Sequence, residues 1–278
     1  FEGVIQDSAS SATLAALITA REKVTRFRSN REGLSDAGRL RIYVSTQTHS
    51  SVEKGAGIAG FGRDNLVKVA VRSDFSMDPG ALEMAIQKDI AQGYVPCCAA
   101  ATLGTTGTTA IDPLREIGVI CRKHGIWLHV DAALGGTALL LPEMRWMADG
   151  IEYVDSLVFN PHKWMFTNFD CSAYFVRDAA SLIRSFEILP EYLKTRTRGE
   201  VNDYRDWGIP LGRRFRALKL WAVIRSYGVE GLQSAIRGHI RLAKMLAGLI
   251  EADRNFGLMA PVPLNTVCFR YCPAGMSD

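Results

Sequence analysis

The 278-residue chain is 47% hydrophobic, enough to bury one large core with part of a second domain. Its 33 basic and 29 acidic residues leave a net charge of +4, too balanced for a nucleic-acid partner. The cysteines Cys97, Cys98, Cys121, Cys171, Cys268 and Cys272 have no Cys-x-x-Cys spacing and no histidine at zinc-like spacing, so reduced core thiols in a cytoplasmic protein, without a metal, are expected.

The chain starts at Phe1 and stops at Asp278, just after the strand-like "TVCFRY", so both ends read as cut from a longer protein. No signal peptide is visible. Gln6 to Lys23 reads as a helix with serines at its start. Free N–H groups and hydroxyls there can receive a phosphate; capping by Ser8 or Ser10 explains the same serines, and the two uses are compatible. Leu40 to Thr46 reads as a buried strand, with His49 and Ser50 just beyond it. "GAGIAG" (Gly55 to Gly60) fits the dinucleotide pattern, but "HSSVEK" separates it from the strand, which argues against a nicotinamide cofactor.

Leu66 to Val71 is the next strand, and Asp78-Pro79 signals a helix start. Gly93 to Ile111 is uncharged and long enough for a membrane span, but its five threonines and a proline point to a strand (Val95 to Leu103) and a polar turn with Thr105 and Thr106. No membrane partner is expected. Asp112-Pro113 signals another helix start, and Gly125 closes that helix. The strand Ile126 to Ala133 carries Asp131, which needs a cationic or donor partner if buried. Helix capping is the alternative for Asp131, but no convincing helix follows at once.

Ser156 to Asn160 is a strand leading into His162 and Lys163. Apolar neighbours on both sides predict that Lys163 is buried, with its amine pKa depressed, and that something pairs with it or bonds to it. Cys171 to Arg177 follows too closely for a helical crossover and should pair antiparallel with the strand before it. The basic stretch Gly212 to Lys219 reads as a solvated helix face. Phe215 to about Ile250 reads as a long amphipathic helix leading towards a second domain.

Strands recurring about every thirty residues with helices between predict a mostly parallel α/β sheet. Ligands in such sheets sit at the carboxyl ends of the strands, and there stand His49, Ser50, Thr105, Thr106, Asp131, His162 and Lys163. A phosphate cradle, a buried aspartate, a histidine able to stack and a buried lysine are what pyridoxal 5′-phosphate asks for. Its aldehyde bonds to a lysine amine, its ring nitrogen needs an acid partner and its phosphate needs an anion site.

The stretches "GVIQDSASSATL", "THSSVEKG", "ATLGTTG", "WLHVDAA", "FNPHKWMFTNFDCSA", "PEYLK" and "DYRDWGIPLGRRFRALKLW" span nearly the whole chain. On them the chain resembles the group II pyridoxal-phosphate decarboxylases, most closely the aromatic-L-amino-acid decarboxylases. The resemblance implies a fold type I large domain, a mostly parallel seven-stranded sheet flanked by helices, over residues 1–220. Residues 221–278 would begin a small C-terminal α/β domain. It implies Ala9 and Ser10 at the phosphate, assisted by Asn160 and His162; His49 stacked on one ring face and Ala133 on the other; and Asp131 at the ring nitrogen. Thr106 would help position Asp131 or His49, and Lys163 would bond to the cofactor aldehyde. Tyr192, on a mobile loop from Tyr192 to Tyr204, would donate a proton to the substrate Cα.

The implied activity is that of a carboxy-lyase acting on an L-amino acid of the Tyr, Dopa, Trp or Phe type, in a homodimer with active sites at the interface. The Trp after Lys163, the "NFDC" that follows and His162 favour an aromatic substrate over glutamate or histidine. Two alternatives stand. Related aldehyde synthases often have Phe where this chain has Tyr192. A silent paralogue acting as a binding subunit is countered by intact Lys163, Asp131 and His49. Leu134 and Gly135 depart from the Tyr-Ala of the animal aromatic enzymes. Asp7 replaces a usual glycine beside the phosphate serines, an unfavourable anion unless it points away.

Overall fold

The computed structural model describes residues 1–35, 37–188 and 202–273. In chain order it contains β1 (Glu2–Gln6), α1 (Ala9–Val24), α2 (Ser29–Glu32), β2 (Leu40–Ser45), α3 (Ser50–Ile58), β3 (Leu66–Val69), α4 (Pro79–Ala91), β4 (Val95–Thr102) and α5 (Leu114–His124). Then follow β5 (Trp127–Asp131), β6 (Ser156–Phe159), α6 (Pro161–Trp164), β7 (Ser172–Val176), α7 (Ala179–Phe186), α8 (Ala217–Ala252), β8 (Phe256–Leu258) and β9 (Phe269–Tyr271). β1 to β7 form a seven-stranded sheet in the order β1-β7-β6-β5-β4-β2-β3. β3, β2, β4, β5 and β6 are mutually parallel, and β7 runs antiparallel to β6, as its short connection requires.

β1 is absent from the sequence reading. It pairs antiparallel with β7 and therefore runs in the direction of the parallel strands. Only Val4 and Ile5 give it apolar character, too little for a periodic signal. Its direction delivers the chain to the carboxyl edge of the sheet, where α1 begins.

Alternation along the strands feeds two cores, one on each face. Ile42, Val44, Cys98, Ala100, Trp127 and Val158 face α1, α3 and α7. Tyr43, Ala99, Ala101, Leu128 and Val130 face α4, α5 and the middle of α8. Ala12, Ala15 and Ala16 of α1 are at most 1% exposed, so small side chains let this helix lie close on the sheet. Removing the fully buried Leu17 side chain from that contact to leave alanine would cost roughly 2–5 kcal/mol.

The helix punctuation holds at Asp78, which accepts from the Gly80 and Ala81 N–H groups, and at Gly125, which closes α5 at φ 66°. It fails at Asp112. α5 is entered through Pro113 without a side-chain cap, and Asp112 instead turns inward. Gly55 and Gly57 lie inside α3 and Gly60 just after it, so the glycine motif is no strand-to-helix turn. The basic stretch before α8 is not a plain solvated face: the Arg216 side chain is 13% exposed and forms a two-pronged ion pair with Asp170. α8 spans the expected boundary between residues 220 and 221, and its helical path is broken at Gly228, whose φ is 63°. Among the described residues no helix is long and apolar enough to cross a membrane. Cys97, Cys98, Cys121 and Cys171 are buried free thiols, while Cys268 and Cys272 are only half-buried.

Candidate active site

A cavity of about 420 Å³ opens at the carboxyl edge of the sheet and unites most of the expected residues. Ser8, Ala9 and Ser10 come from the start of α1, His49 from the start of α3, Thr106 from the turn after β4, Asp131 and Ala133 from the end of β5, and Asn160, His162 and Lys163 from the segment after β6. Tyr192 lies outside the described residues. Of the wider polar set, Ser50 lines a neighbouring depression, and Thr105 is a turn builder whose Oγ1 accepts from the Ala110 N–H at 3.0 Å.

α1 supplies the anion site. Ser8 is its cap, accepting from the Ser11 N–H at 3.2 Å, and no acidic residue stands in the first turn. Ala9 and Ser10 follow, so unpaired backbone N–H groups and a hydroxyl point the way for an anion. The sequence reading missed Ser8 as a cavity residue, although its neighbours were the signal. Asp7 does not line the cavity; its charge acts on Arg213 and Arg216 of the basic stretch.

Asp131 is 5% exposed, and its Oδ1 accepts from the Ala133 N–H at 3.0 Å. A second carboxylate oxygen remains for a cationic N–H in the cavity. No regular helix starts directly after Asp131; a 3-10 segment begins at Gly135. Gly135 matters here. A Cβ at that position would stand 2.3 Å from the Leu103 carbonyl oxygen, so only glycine lets the chain after β5 lie against the end of β4. An alanine at that position would need a shifted backbone.

His49 is exposed and caps α3: its Nδ1 accepts from the Ser51 N–H at 3.1 Å. In the uncharged ring the proton is then on Nε2, which leaves a flat ring with a free donor. Asn160 is buried; its Oδ1 accepts from the Ser172 hydroxyl at 2.6 Å, so its NH2 is the group it can offer an anion. His162 accepts at Nδ1 from the Cys171 N–H at 2.8 Å. Partial burial, and next the Lys163 charge, push its pKa below the usual histidine value.

Lys163 corrects an expectation. It is exposed, not buried, and opens onto the cavity. Trp164 and Met165 turn inward while Phe166 stays 37% exposed, and these neighbours hold its loop instead of covering its amine. Trp164 is 4% exposed and donates its indole N–H to His239 Nδ1 at 3.0 Å. The Phe166 ring stacks on Tyr227 of α8 at 5.3 Å. Asp170 receives Arg216 at 3.1 and 3.0 Å, with Lys219 at 3.7 Å, and the Arg216 guanidinium lowers its pKa to about 2. Three contacts thus pin the lysine loop to α8.

One buried group next to the site was not foreseen. His129, two residues before Asp131 on the same face of β5, is fully buried between Thr13 of α1 (Nε2 to Oγ1, 3.2 Å) and Ser156 of β6 (Nδ1 to Oγ, 2.9 Å). Burial holds its pKa down, to about 4, so it is a neutral strut between helix and sheet.

These residues fit pyridoxal 5′-phosphate: an anion site on a helix end, a buried carboxylate with spare acceptor capacity, a flat imidazole and an amine share one cavity. Comparison with known proteins agrees. The family profile described as "Pyridoxal-dependent decarboxylase conserved domain" matches residues 1–272. The chain is 47% identical over 274 residues to an aromatic-L-amino-acid decarboxylase of Cavia porcellus, covering 96% of this chain and 56% of that protein. It is 45% identical to a phenylacetaldehyde synthase of Arabidopsis thaliana, covering 98% of this chain and 55% of that protein. The solved structure of Oryza sativa TDC with PLP and tryptamine superposes with a TM-score of 0.93 at 41% identity, over 97% of this chain and 56% of that one. The chain therefore spans about half the length of the relatives it matches.

Proposed function

Because the chain belongs to the pyridoxal-dependent decarboxylase family, we propose that it is the core of a pyridoxal 5′-phosphate enzyme that removes CO2 from an aromatic L-amino acid and releases the amine. The observation that carries the proposal is the shared cavity of Ser8–Ser10, His49, Asp131 and Lys163. When bound, pyridoxal 5′-phosphate supplies an aldehyde and a conjugated ring that accepts the electrons of the broken Cα–carboxylate bond.

The chain's own residues bind, orient and move protons. The start of α1, with Asn160 and His162, holds the phosphate. The Asp131 carboxylate accepts the ring N–H, and its charge keeps that proton on nitrogen. His49 and Ala133 would flank the ring, and Thr106, which lines the same cavity, would help position Asp131 or His49. Lys163, which opens onto the same cavity, would anchor the cofactor through its side-chain amine. Tyr192 delivers a proton to the substrate Cα after CO2 leaves.

Exposed apolar side chains before and at the start of α8 support a homodimer: Leu211 is 68%, Phe215 77%, Leu218 54% and Trp221 59% exposed. A second copy would cover them, with the active sites at the interface. The buried free thiols support a cytoplasmic setting.

Incubating the full-length protein with L-Tyr, L-Dopa, L-Trp and L-Phe should yield the amines, detected by chromatography with CO2 release. Aldehyde synthases among the similar proteins favour a second reading, decarboxylation followed by oxidative deamination. Oxygen uptake in the same assay separates the two. Amine without oxygen uptake supports the first reading, and aldehyde with ammonia and peroxide supports the second. Replacement Tyr192→Phe should move the product ratio towards aldehyde, since phenylalanine has no proton to give. An unchanged ratio would remove Tyr192 from the mechanism.

A further inference from the structure

One polar group in the cavity has no assignment. Thr102 ends β4, is 5% exposed and lines the cavity. Its Oγ1 is buried without a hydrogen-bond partner among the described residues, a state that costs free energy unless a partner arrives. The hydroxyls of Thr109 and Thr137 are also unpaired, but neither residue lines this cavity.

The backbone of Thr102 is held from both sides. Its N–H donates to Asp112 Oδ2 at 2.7 Å, and its carbonyl accepts from the Asp112 N–H at 2.9 Å. The side chain is thereby fixed in place. β4 and β5 pair in parallel with Thr102 directly beside Asp131, so both side chains project from the same face. A buried donor without a partner therefore stands next to the carboxylate that would receive the ring nitrogen.

We propose that Thr102 is a further positioning residue for the cofactor. Its hydroxyl hydrogen-bonds a polar atom on the bound pyridine ring and fixes the ring's rotation in its own plane against Asp131. This rests on the cofactor reading above.

The test uses full-length protein freed of cofactor, in three forms: wild type, Thr102→Val and Thr102→Ser. Affinity for pyridoxal 5′-phosphate is measured by quenching of tryptophan fluorescence, affinity for inorganic phosphate by competition, and the melting temperature without ligand. Valine keeps the shape and removes the orphan hydroxyl. Its unliganded melting temperature should equal or exceed that of wild type, while affinity for pyridoxal 5′-phosphate falls on the order of tenfold. Affinity for inorganic phosphate should stay the same, because the helix end is untouched. Serine should restore most of the lost affinity. Equal pyridoxal 5′-phosphate affinity in valine and wild type overturns the inference and leaves the cofactor reading intact. A valine variant that melts lower and loses both affinities together makes Thr102 a structural residue and also overturns it. Wild type that takes up no pyridoxal 5′-phosphate removes both readings.

Discussion

Asp112 and Asp131 are both buried near the carboxyl ends of the parallel strands, yet the chain uses them differently. Asp112 is 1% exposed, and each of its oxygens accepts a backbone N–H, from Met77 at 2.6 Å and from Thr102 at 2.7 Å. Asp131 is 5% exposed and has one such donor among the described residues. Asp112 closes a fold; Asp131 faces a cavity with acceptor capacity to spare. Burial of a carboxylate does not mark a functional site by itself. What marks it is hydrogen-bonding capacity that the protein leaves unfilled and turns towards a space.

The largest expected effect belongs to the open side. Lys163→Ala should abolish the visible absorbance of bound cofactor and lower turnover by several orders of magnitude. Borohydride treatment of the wild type followed by peptide mapping should label Lys163; a label on another lysine would displace it from its role.

A pair of asparagine replacements then sets the two carboxylates against each other. Asp131→Asn should keep the cofactor but slow decarboxylation on the order of a hundredfold, because an amide cannot hold the ring proton as an anion does. Its stability should stay within about 1 kcal/mol of wild type. Asp112→Asn should do the reverse. Its one amide oxygen can serve Met77 or Thr102 but not both, and its NH2 meets the other N–H. The expected loss is roughly 2–4 kcal/mol in urea unfolding. Equal stability losses in the two variants would erase the distinction.

Sequence pattern made the parallel strands legible because each is a short apolar run between turn signals, and it made the site legible because polar residues interrupt those runs just past their ends. Asp131, His49 and His162 stand out that way, whereas the serines of α1 stand out as the start of a helix, since the strand before them carries no periodic signal. Lys163 lines the cavity, but it is exposed where burial was expected: Trp164 and Phe166 contact α8 instead of covering its amine. Asp112 was misread because Asp-Pro before a helix is the same local signal whether the carboxylate caps the helix or ties β4 to the segment before α4. Only the distant N–H groups of Met77 and Thr102 decide it. The Asp170–Arg216 pair and the His129 strut join residues far apart in the chain, so no local window contains them.

The smallest expected effect is a pH dependence in which Asp112 and the buried His129 of β5 act in opposite directions. Burial, against the two N–H bonds it accepts, raises the Asp112 pKa from 3.8 to about 6. The folded state therefore keeps a proton there that the unfolded state has given up. The stability from this group is full below pH 3.8 and is lost as pH rises to about 6. His129 has the opposite sign. Burial lowers its pKa from 6.5 to about 4, so its stability is full above pH 6.5 and is lost as pH falls towards 4. Between pH 4 and 6.5 the two contributions offset each other in the wild type. Asp112→Asn removes one of them, so the variant's stability should climb with pH relative to wild type, by on the order of 2 kcal/mol across that window. His129→Gln should drift the other way by a similar amount. Urea midpoints at pH 4.5, 5.5 and 6.5 measure both slopes. Curves parallel to wild type for both variants would mean that neither buried group changes its proton affinity on folding.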